Sequence, residues 1–431
     1  MTSSNDHWPD LSQVVPASRT SVPARRTSIG PSPARRGHFG EAVRDARERS
    51  RLTQDQLGQH IGYSRTAVSR MESSADPRLT PRTLARICEV LNTTMADLLG
   101  ENEEREEPVK RREFMQVTGG VMAYMAGMAV EPGQVGESDV AQIEHGIEHL
   151  RALDQRNGGD RLGYFAERLV DDAQRLLRGS YNSTMGERLY SVLGEACVLA
   201  GWLAQDAGDP HRSIQLYSEV MSAATMANNP LLSAHACANL SLITAMAGQS
   251  SRAVQCARAG QRAAAEGHGG PRLRALLLAR ETTGLAQLGD TARARDTMTR
   301  ALRALDNPHG YDPPWTAFVT EAELSGILGD ANSKLGRHDQ ALHQISQAAA
   351  MSGHPRNAAS WQVVLAGAHA AAGDPGQAAT IAVQALPTVT DLSSTRIHSR
   401  VQALSQSLGP FTRVAEVAEF RQQMIAAGLT P

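Results

Sequence analysis

A glycine set among turn residues returns at positions 208, 248, 289, 336 and 373, inside AGDP, AGQS, LGDT, LGRH and AGDP, with successive spacings of 40, 41, 47 and 37 residues. Each glycine ends one helical apolar pattern and opens another, the task of a residue that takes a left-handed backbone conformation without penalty. Five residues after each glycine stands a small residue: Ser213, Ala253, Ala294, Ala341 and Ala378. Seven residues before each stands another: Gly201, Ser241, Thr282, Gly329 and Ala366. Small side chains at both places let two antiparallel helices cross closely. From about residue 141 to the end, the chain is therefore expected to fold as stacked helical hairpins, which places it in the all-α class.

Thr53 to Glu72, TQDQLGQHIGYSRTAVSRME, has a different local logic. Thr53 and Gln56 form a capping box for a short helix with Leu57 and Ile61 as its apolar stripe, and Gly58 keeps its surface low. Gly62 turns the chain and Ser64 caps a second helix whose buried face is Val68 and Met71. Its other face carries Arg65, Thr66, Ser69 and Arg70. An arginine-rich amphipathic helix over 39–51 precedes this pair. Thr80 and Pro81 start a further helix with Leu84, Ile87 and Leu91 on its apolar face, and MADLL at 95–99 supplies a fifth. Two short helices about a glycine turn, the second presenting arginines, predict a helix-turn-helix that reads double-stranded DNA.

The run Val43 to Gly100 resembles an Xre-type helix-turn-helix domain, the family of the lambdoid phage repressors. The resemblance implies a five-helix lambda-repressor-like fold over 37–100. It implies that Arg65, Thr66, Ser69 and Arg70 face base edges, that Gln54, joined by Arg78, contacts phosphate, and that Arg47 and Glu72 form an ion pair tying the first helix to the recognition helix. Arginine and threonine at the first recognition positions depart from the glutamines of several relatives. They favour guanine, whose O6 and N7 accept from arginine. The later hairpins resemble tetratricopeptide repeats with lengthened helices or turns. Ala301, Ala348 and Ala385, twelve residues past their glycines, match a further small position that Val220 and Gly260 fill less typically. An Xre domain joined to a tetratricopeptide-like α-solenoid is the layout of peptide-pheromone-sensing regulators of Gram-positive bacteria, in which a ligand on the concave repeat surface changes dimer geometry.

With 431 residues, the chain holds far more than one DNA-binding module. Its net charge of -2 excludes a bulk polyanion binder, so affinity for DNA must come from local arginines and from doubling the site in a homodimer. Lysine occurs only at 110 and 334, a bias of the kind a GC-rich bacterial genome produces. Cys88, Cys197, Cys237 and Cys256 lack C-x-x-C spacing and read as reduced core residues of a cytoplasmic protein, nucleoid-associated when bound to DNA. Residues 1–36, rich in Pro, Ser, Thr and Arg, read as a disordered basic arm. Residues 101–140 read as a charged linker followed by an apolar coupling helix. Within it, Arg111 to Met115 resembles a twin-arginine export signal, but it follows a complete domain and precedes an apolar stretch short and glycine-interrupted for a membrane span, so neither export nor a membrane partner is expected.

In the repeats, the place nine residues before each glycine holds Leu199, Asn239, Arg280, Ile327 and Val364. Only Asn239 and Arg280 are polar. They are the candidates for clamping a peptide backbone or a carboxylate, the alternative being that Arg280 pairs with Glu281 or another acid. His145-Gly-Ile-Glu148-His149 matches the inverted zinc-protease signature H-x-x-E-H, but no third ligand is identifiable and Gly146 weakens the helix. No phosphate-binding loop and no nucleophile elbow occurs, so no catalytic residue, metal or cofactor is expected. The chain reads as a dimeric transcription regulator whose repeats receive a peptide, a small ligand or a partner protein. A non-catalytic interaction scaffold and, more remotely, a metalloprotease are the alternatives.

Overall fold

The computed structural model describes residues 39–73, 81–91, 93, 133–157, 162–353, 355–392 and 394–431. The fifth short helix over 95–99, the linker, the twin-arginine-like segment, the N-terminal arm and Arg78 lie outside the described residues. The described residues are all-α, and no described helix is long and apolar enough to cross a membrane. They divide into two compact units, one built on the helices before residue 91 together with Ala141–Leu150, the other on Gln134–Val140 and the chain from Arg151 onward.

The first unit comprises α1 (Phe39–Arg49), α2 (Gln54–Ile61), α3 (Arg65–Ser73) and α4 (Pro81–Val90). Thr53 caps α2 and exchanges both bonds of the capping box with Gln56. Gly62 ends α2 at φ +76, where a side chain would be strained. A Cβ on Gly58 would run into the carbonyl of Tyr63, so this glycine is required by the approach of the turn itself. Ser64 caps α3 by accepting from the Ala67 N–H at 3.2 Å. Val43, Ala46, Leu57, Val68, Met71, Ile87 and Leu91 form the core.

Helix α5 (Glu137–Asn157) is divided between the units, and α6 (Gly163–Leu176) leads into the repeats. There, α7 (Ser183–Asp206) pairs with α8 (Pro210–Met226), α9 (Pro230–Met246) with α10 (Ser250–Glu266), and α11 (Pro271–Gln287) with α12 (Thr291–Leu305). Next, α13 (Glu321–Lys334) pairs with α14 (His338–Met351) and α15 (Pro355–Ala371) with α16 (Pro375–Asp391), before α17 (Thr395–Ser407) and α18 (Ala415–Ala426). All five anchor glycines have positive φ, between +73 and +86. The residue after the glycine caps the next helix where it is Asp209, Asp290 or Asp374, and proline follows at the first helical position in two of these.

The small positions are the crossings. Ser213, Ala253, Ala294, Ala341 and Ala378 are fully buried. Ser213 Oγ donates to the Gly201 carbonyl at 2.7 Å and Ser241 Oγ to the Ala253 carbonyl at 2.8 Å, so the two rows of small residues touch. A Cβ at Gly329 would lie 2.7 Å from Ile345 Cγ1, and one at Gly260 would lie 2.5 Å from Leu277 and 2.9 Å from Cys237. The 47-residue spacing is accounted for by an insertion between α12 and α13 that holds a 3-10 turn, Pro314–Phe318. Its Asp312 accepts from the N–H groups of Arg272 and Leu273, capping α11 from outside, and its Trp315 stacks on His235 with ring centroids 3.6 Å apart.

Helices α7, α9, α11, α13, α15 and α17 each pack on the next, and α17 also packs on α7. The first and last inner helices of this α-solenoid therefore meet. Polar groups hold the meeting: Asp206 at the end of α7 accepts from Arg356 at 2.9 Å, Ser394 at 2.9 Å and Arg396 at 3.0 Å. Arg356 also reaches Asp154 of α5 at 3.0 Å.

Overfilling a crossing should open it. Ala294→Leu is expected to lower repeat-unit stability by about 1 to 3 kcal/mol or more in urea unfolding followed by tryptophan fluorescence, whereas Arg295→Ala, one residue on and exposed, should stay within about 0.5 kcal/mol. Equal effects would mean that residue 294 is not at a close crossing.

Candidate nucleic-acid interface

The surface of α3 is built from behind. Glu72, 1% exposed, sits at the back of the helix and receives Arg47 through two bonds, Nε to Oε1 at 2.6 Å and Nη2 to Oε2 at 3.1 Å. Gln54, the first residue of α2, donates its side-chain amide to the same Oε2 at 2.9 Å. Arg44 reaches the Glu72 carbonyl at 3.0 Å. Three helices thus meet on one carboxylate. Burial alone would push the Glu72 carboxyl up, but the bonds from Arg47 and Gln54 outweigh it and hold the group below the usual carboxylate range. The bond to Glu72 holds the Arg47 guanidinium above its ordinary value.

On the opposite side, Arg65, Thr66 and Arg70 are exposed and Ser69 is half-buried. None of the four is drawn into the core, which takes Val68, Met71 and Glu72 from this helix. Tyr63 in the turn exchanges a hydrogen bond with Thr83 of α4 at 3.2 Å, and Arg86 donates to the His60 carbonyl at 3.3 Å, so α4 braces the turn. The α2 N-terminus and the α3 face form a surface held from behind, with two exposed guanidiniums, Arg65 and Arg70, upon it. Gln54 does more than sequence reasoning assigned it, because its amide also belongs to the buried network.

In the repeat unit, Leu199 and Ile327 of the inner row are buried, while Asn239 and Arg280 are half-buried. Asn239 donates to the His235 carbonyl of its own helix at 3.3 Å. Arg280 does not pair with Glu281. That carboxylate accepts from Arg258 at 2.7 Å and Gln261 at 2.7 Å beside a separate cleft of about 400 Å³, which Arg262 and Arg300 also line. Burial pushes the Arg280 guanidinium down to about 10, an effect the Glu323 charge only partly offsets, and Arg280 makes no hydrogen bond or ion pair among the described residues. His145 and His149 lie one turn apart with ring centroids at 4.0 Å. His149 Nδ1 contacts the His145 carbonyl at 2.8 Å, and no group of three metal-binding side chains occurs among the described residues. All four cysteines are buried. Burial pushes the Cys237 thiol up to about 12 and the Cys256 thiol up to about 11, as befits core residues.

Residues 38–99 match the family described as "Helix-turn-helix domain", so the first unit is a helix-turn-helix domain. No curated protein matches the chain. Among solved structures, Bacillus thuringiensis PlcR in complex with the peptide PapR7 and DNA matches at 12% identity, covering 72% of this chain and 92% of its own, with a TM-score of 0.33. A Rap protein complexed with competence and sporulation factor matches at 10% identity, covering 90% of this chain and 98% of its own, with a TM-score of 0.44. The ligands are properties of those two proteins.

Replacing Glu72 tests the frame behind α3. Glu72→Gln strands the Arg47 charge and is expected to lower the stability of the first unit by about 3 to 5 kcal/mol, while a double variant with Arg47→Met recovers most of it. Hydrogen-exchange protection of α1 and α3 in the full chain reads the effect. Because the Glu72 pKa is lowered on folding, its contribution is present above the unfolded value near 4.3 and is lost as pH falls through the folded value. Wild-type protection should therefore fall below about pH 4.5, and the double variant should lack that component.

Proposed function

We propose that this chain is a sequence-specific DNA-binding transcription regulator of the Xre type, acting as a homodimer on a double-stranded operator. The observation that carries the reading is the separation of roles on α3: Glu72 is locked behind it by Arg47 and Gln54, while Arg65, Thr66 and Arg70 stand free in front. A helix held this firmly presents its side chains to the major groove in one register. Arg65 and Arg70 read guanine O6 and N7, Thr66 and Ser69 add contacts to neighbouring bases, and Gln54 and Arg78 engage phosphates. A chain of net charge -2 gains little from bulk electrostatics, so two domains bound to two half-sites supply the affinity. The repeat unit, several times larger than the reader, dimerises the protein and receives a ligand.

Selection of bound fragments from whole genomic DNA by the purified full chain is the test. One enriched motif containing guanines in paired half-sites is expected, and recovery of unselected fragments would contradict the reading. On that motif, Arg65→Ala or Arg70→Ala should reduce discrimination against random DNA by about 1 to 3 kcal/mol, while Gln54→Ala weakens binding to both alike. Fluorescence anisotropy at one salt concentration measures this. Equal losses on both DNAs for all three variants would place the base-reading residues elsewhere.

A further inference from the structure

Helices α10 and α12 both pack on α11, and the cleft of about 400 Å³ lies where the three come together. Arg258, Gln261 and Arg262 of α10, Glu281 of α11 and Arg300 of α12 line it. No apolar side chain is among them, whereas pockets for ordinary organic ligands are lined mostly by apolar groups. The occupant that suits this cleft is therefore polar throughout. Its volume equals that of about a dozen waters at roughly 30 Å³ each, more than one tetrahedral anion fills.

The floor is built. Glu281, with its side chain 5% exposed, accepts from Arg258 Nε at 2.7 Å through one oxygen and from Gln261 Nε2 at 2.7 Å through the other. Arg258 is engaged through Nε alone, so the guanidinium is fixed while its two terminal amino groups make no hydrogen bond among the described residues. Arg262 makes no hydrogen bond or ion pair among them. Arg300 has Asp296 at 3.8 Å on an exposed face, where such a pair contributes little. Three guanidiniums thus meet one carboxylate in the cleft, and that carboxylate is occupied in orienting one of them. The surroundings have the same sign. Helices α10 and α12 together carry seven arginines against two acids, Glu266 and Asp296, in a chain whose net charge is -2. Like charges so gathered repel one another, and a multivalent anion relieves the repulsion.

We propose that this cleft binds a compact polyanion of two or more linked phosphoryl groups, with Arg262 and Arg300 clamping it from α10 and α12 and Arg258 presented from the floor by Glu281. A guanidinium takes two acceptor oxygens in one plane, and a chain of phosphoryl groups offers such pairs in succession with no apolar part. The clamping arginines belong to the second helices of two hairpins and not to the inner row that holds Asn239 and Arg280, so the site stands whether or not the repeats also receive a peptide. Free inorganic oligophosphate and the phosphate tail of a nucleoside triphosphate both supply this chemistry.

Isothermal titration calorimetry of the full chain, without magnesium and with sodium chloride holding ionic strength constant, tests the site. The probes are orthophosphate, tripolyphosphate and ATP. One tripolyphosphate per chain is expected to bind saturably, with orthophosphate about tenfold weaker or more, because a single phosphoryl group cannot engage guanidiniums on two helices at once. Arg262→Ala and Arg300→Ala, both at exposed positions, should each weaken tripolyphosphate binding about tenfold. Arg295→Ala, on α12 but outside the cleft, removes the same charge and should change the affinity less than about twofold. ATP binding within about threefold of tripolyphosphate identifies a nucleotide tail as the source, and weaker ATP binding identifies free oligophosphate. Absence of saturable binding by both, or an equal loss in Arg295→Ala and the two cleft variants, overturns the proposal. So does a random DNA duplex bound through Arg262 and Arg300 more tightly than tripolyphosphate, which would assign the cleft to nucleic acid. Operator binding through α3 is measured separately and stands whichever way this result falls.

Discussion

Two antiparallel helices can lie as near as α7 and α8 or α13 and α14 do only where neither carries bulk at the crossing. Five crossings in this chain meet that requirement, with Ser213, Ala253, Ala294, Ala341 and Ala378 fully buried against their partner helices. Each hairpin packs on the next through its inner helix, from α7 on α9 through to α15 on α17. After five hairpins the sixth inner helix meets the first, so that α17 packs on α7. This contact brings Asp154 and Asp206 against Arg356 and Arg396, residues 150 to 202 positions apart in sequence. Charges buried at that seam do little for net stability, but they punish any other register severely, because a misplaced hairpin would leave Asp206 dry and unpaired.

The first unit uses the same device on a smaller scale. Glu72 has four donors from α1 and α2 aimed at it or at its carbonyl, and α3 cannot rotate without breaking them. The consequence differs. In the repeats the buried charges tie the first and the last inner helices to each other. In the first unit the buried charge fixes the far side of a helix so that its front, Arg65, Thr66 and Arg70, is delivered outward in one orientation. A reader of base edges depends on that rigidity, since its contacts lose direction if the helix rolls.

Local chemistry was legible in the sequence. The capping box at Thr53 and Gln56, the turn at Gly62 and the five glycines with their small partners are short-range patterns with one good solution each. What was not legible lies at long range. The neighbouring position of Glu281 suggested a partner for Arg280, yet adjacent residues on a helix point about 100° apart and do not face each other. Glu281 accordingly turns to Arg258 and Gln261, and Arg280 is left without an acid partner in hydrogen-bond contact among the described residues. The packing of α17 on α7 could not be read either, since the polar contacts that hold it join residues 188 and 190 positions apart. The role of Asp312 in capping α11 was equally hidden, because the residues it caps stand 39 and 40 positions earlier. The double duty of Gln54 needed the position of Glu72 in space.

The central claim is that arginines on α3 read guanine in the major groove. Methylation of guanine N7 removes the acceptor such an arginine needs while leaving base pairing and the phosphates in place. Interference footprinting of the full chain on its selected fragment, with DNA lightly methylated at N7, is the most direct measurement. The account predicts that methyl groups at a few guanines in each of two half-sites, centred about one helical turn or a multiple of it apart, prevent binding. It also predicts that the pattern disappears at specific guanines in Arg65→Ala or Arg70→Ala. Binding indifferent to guanine methylation, or interference unchanged in both variants, would contradict it.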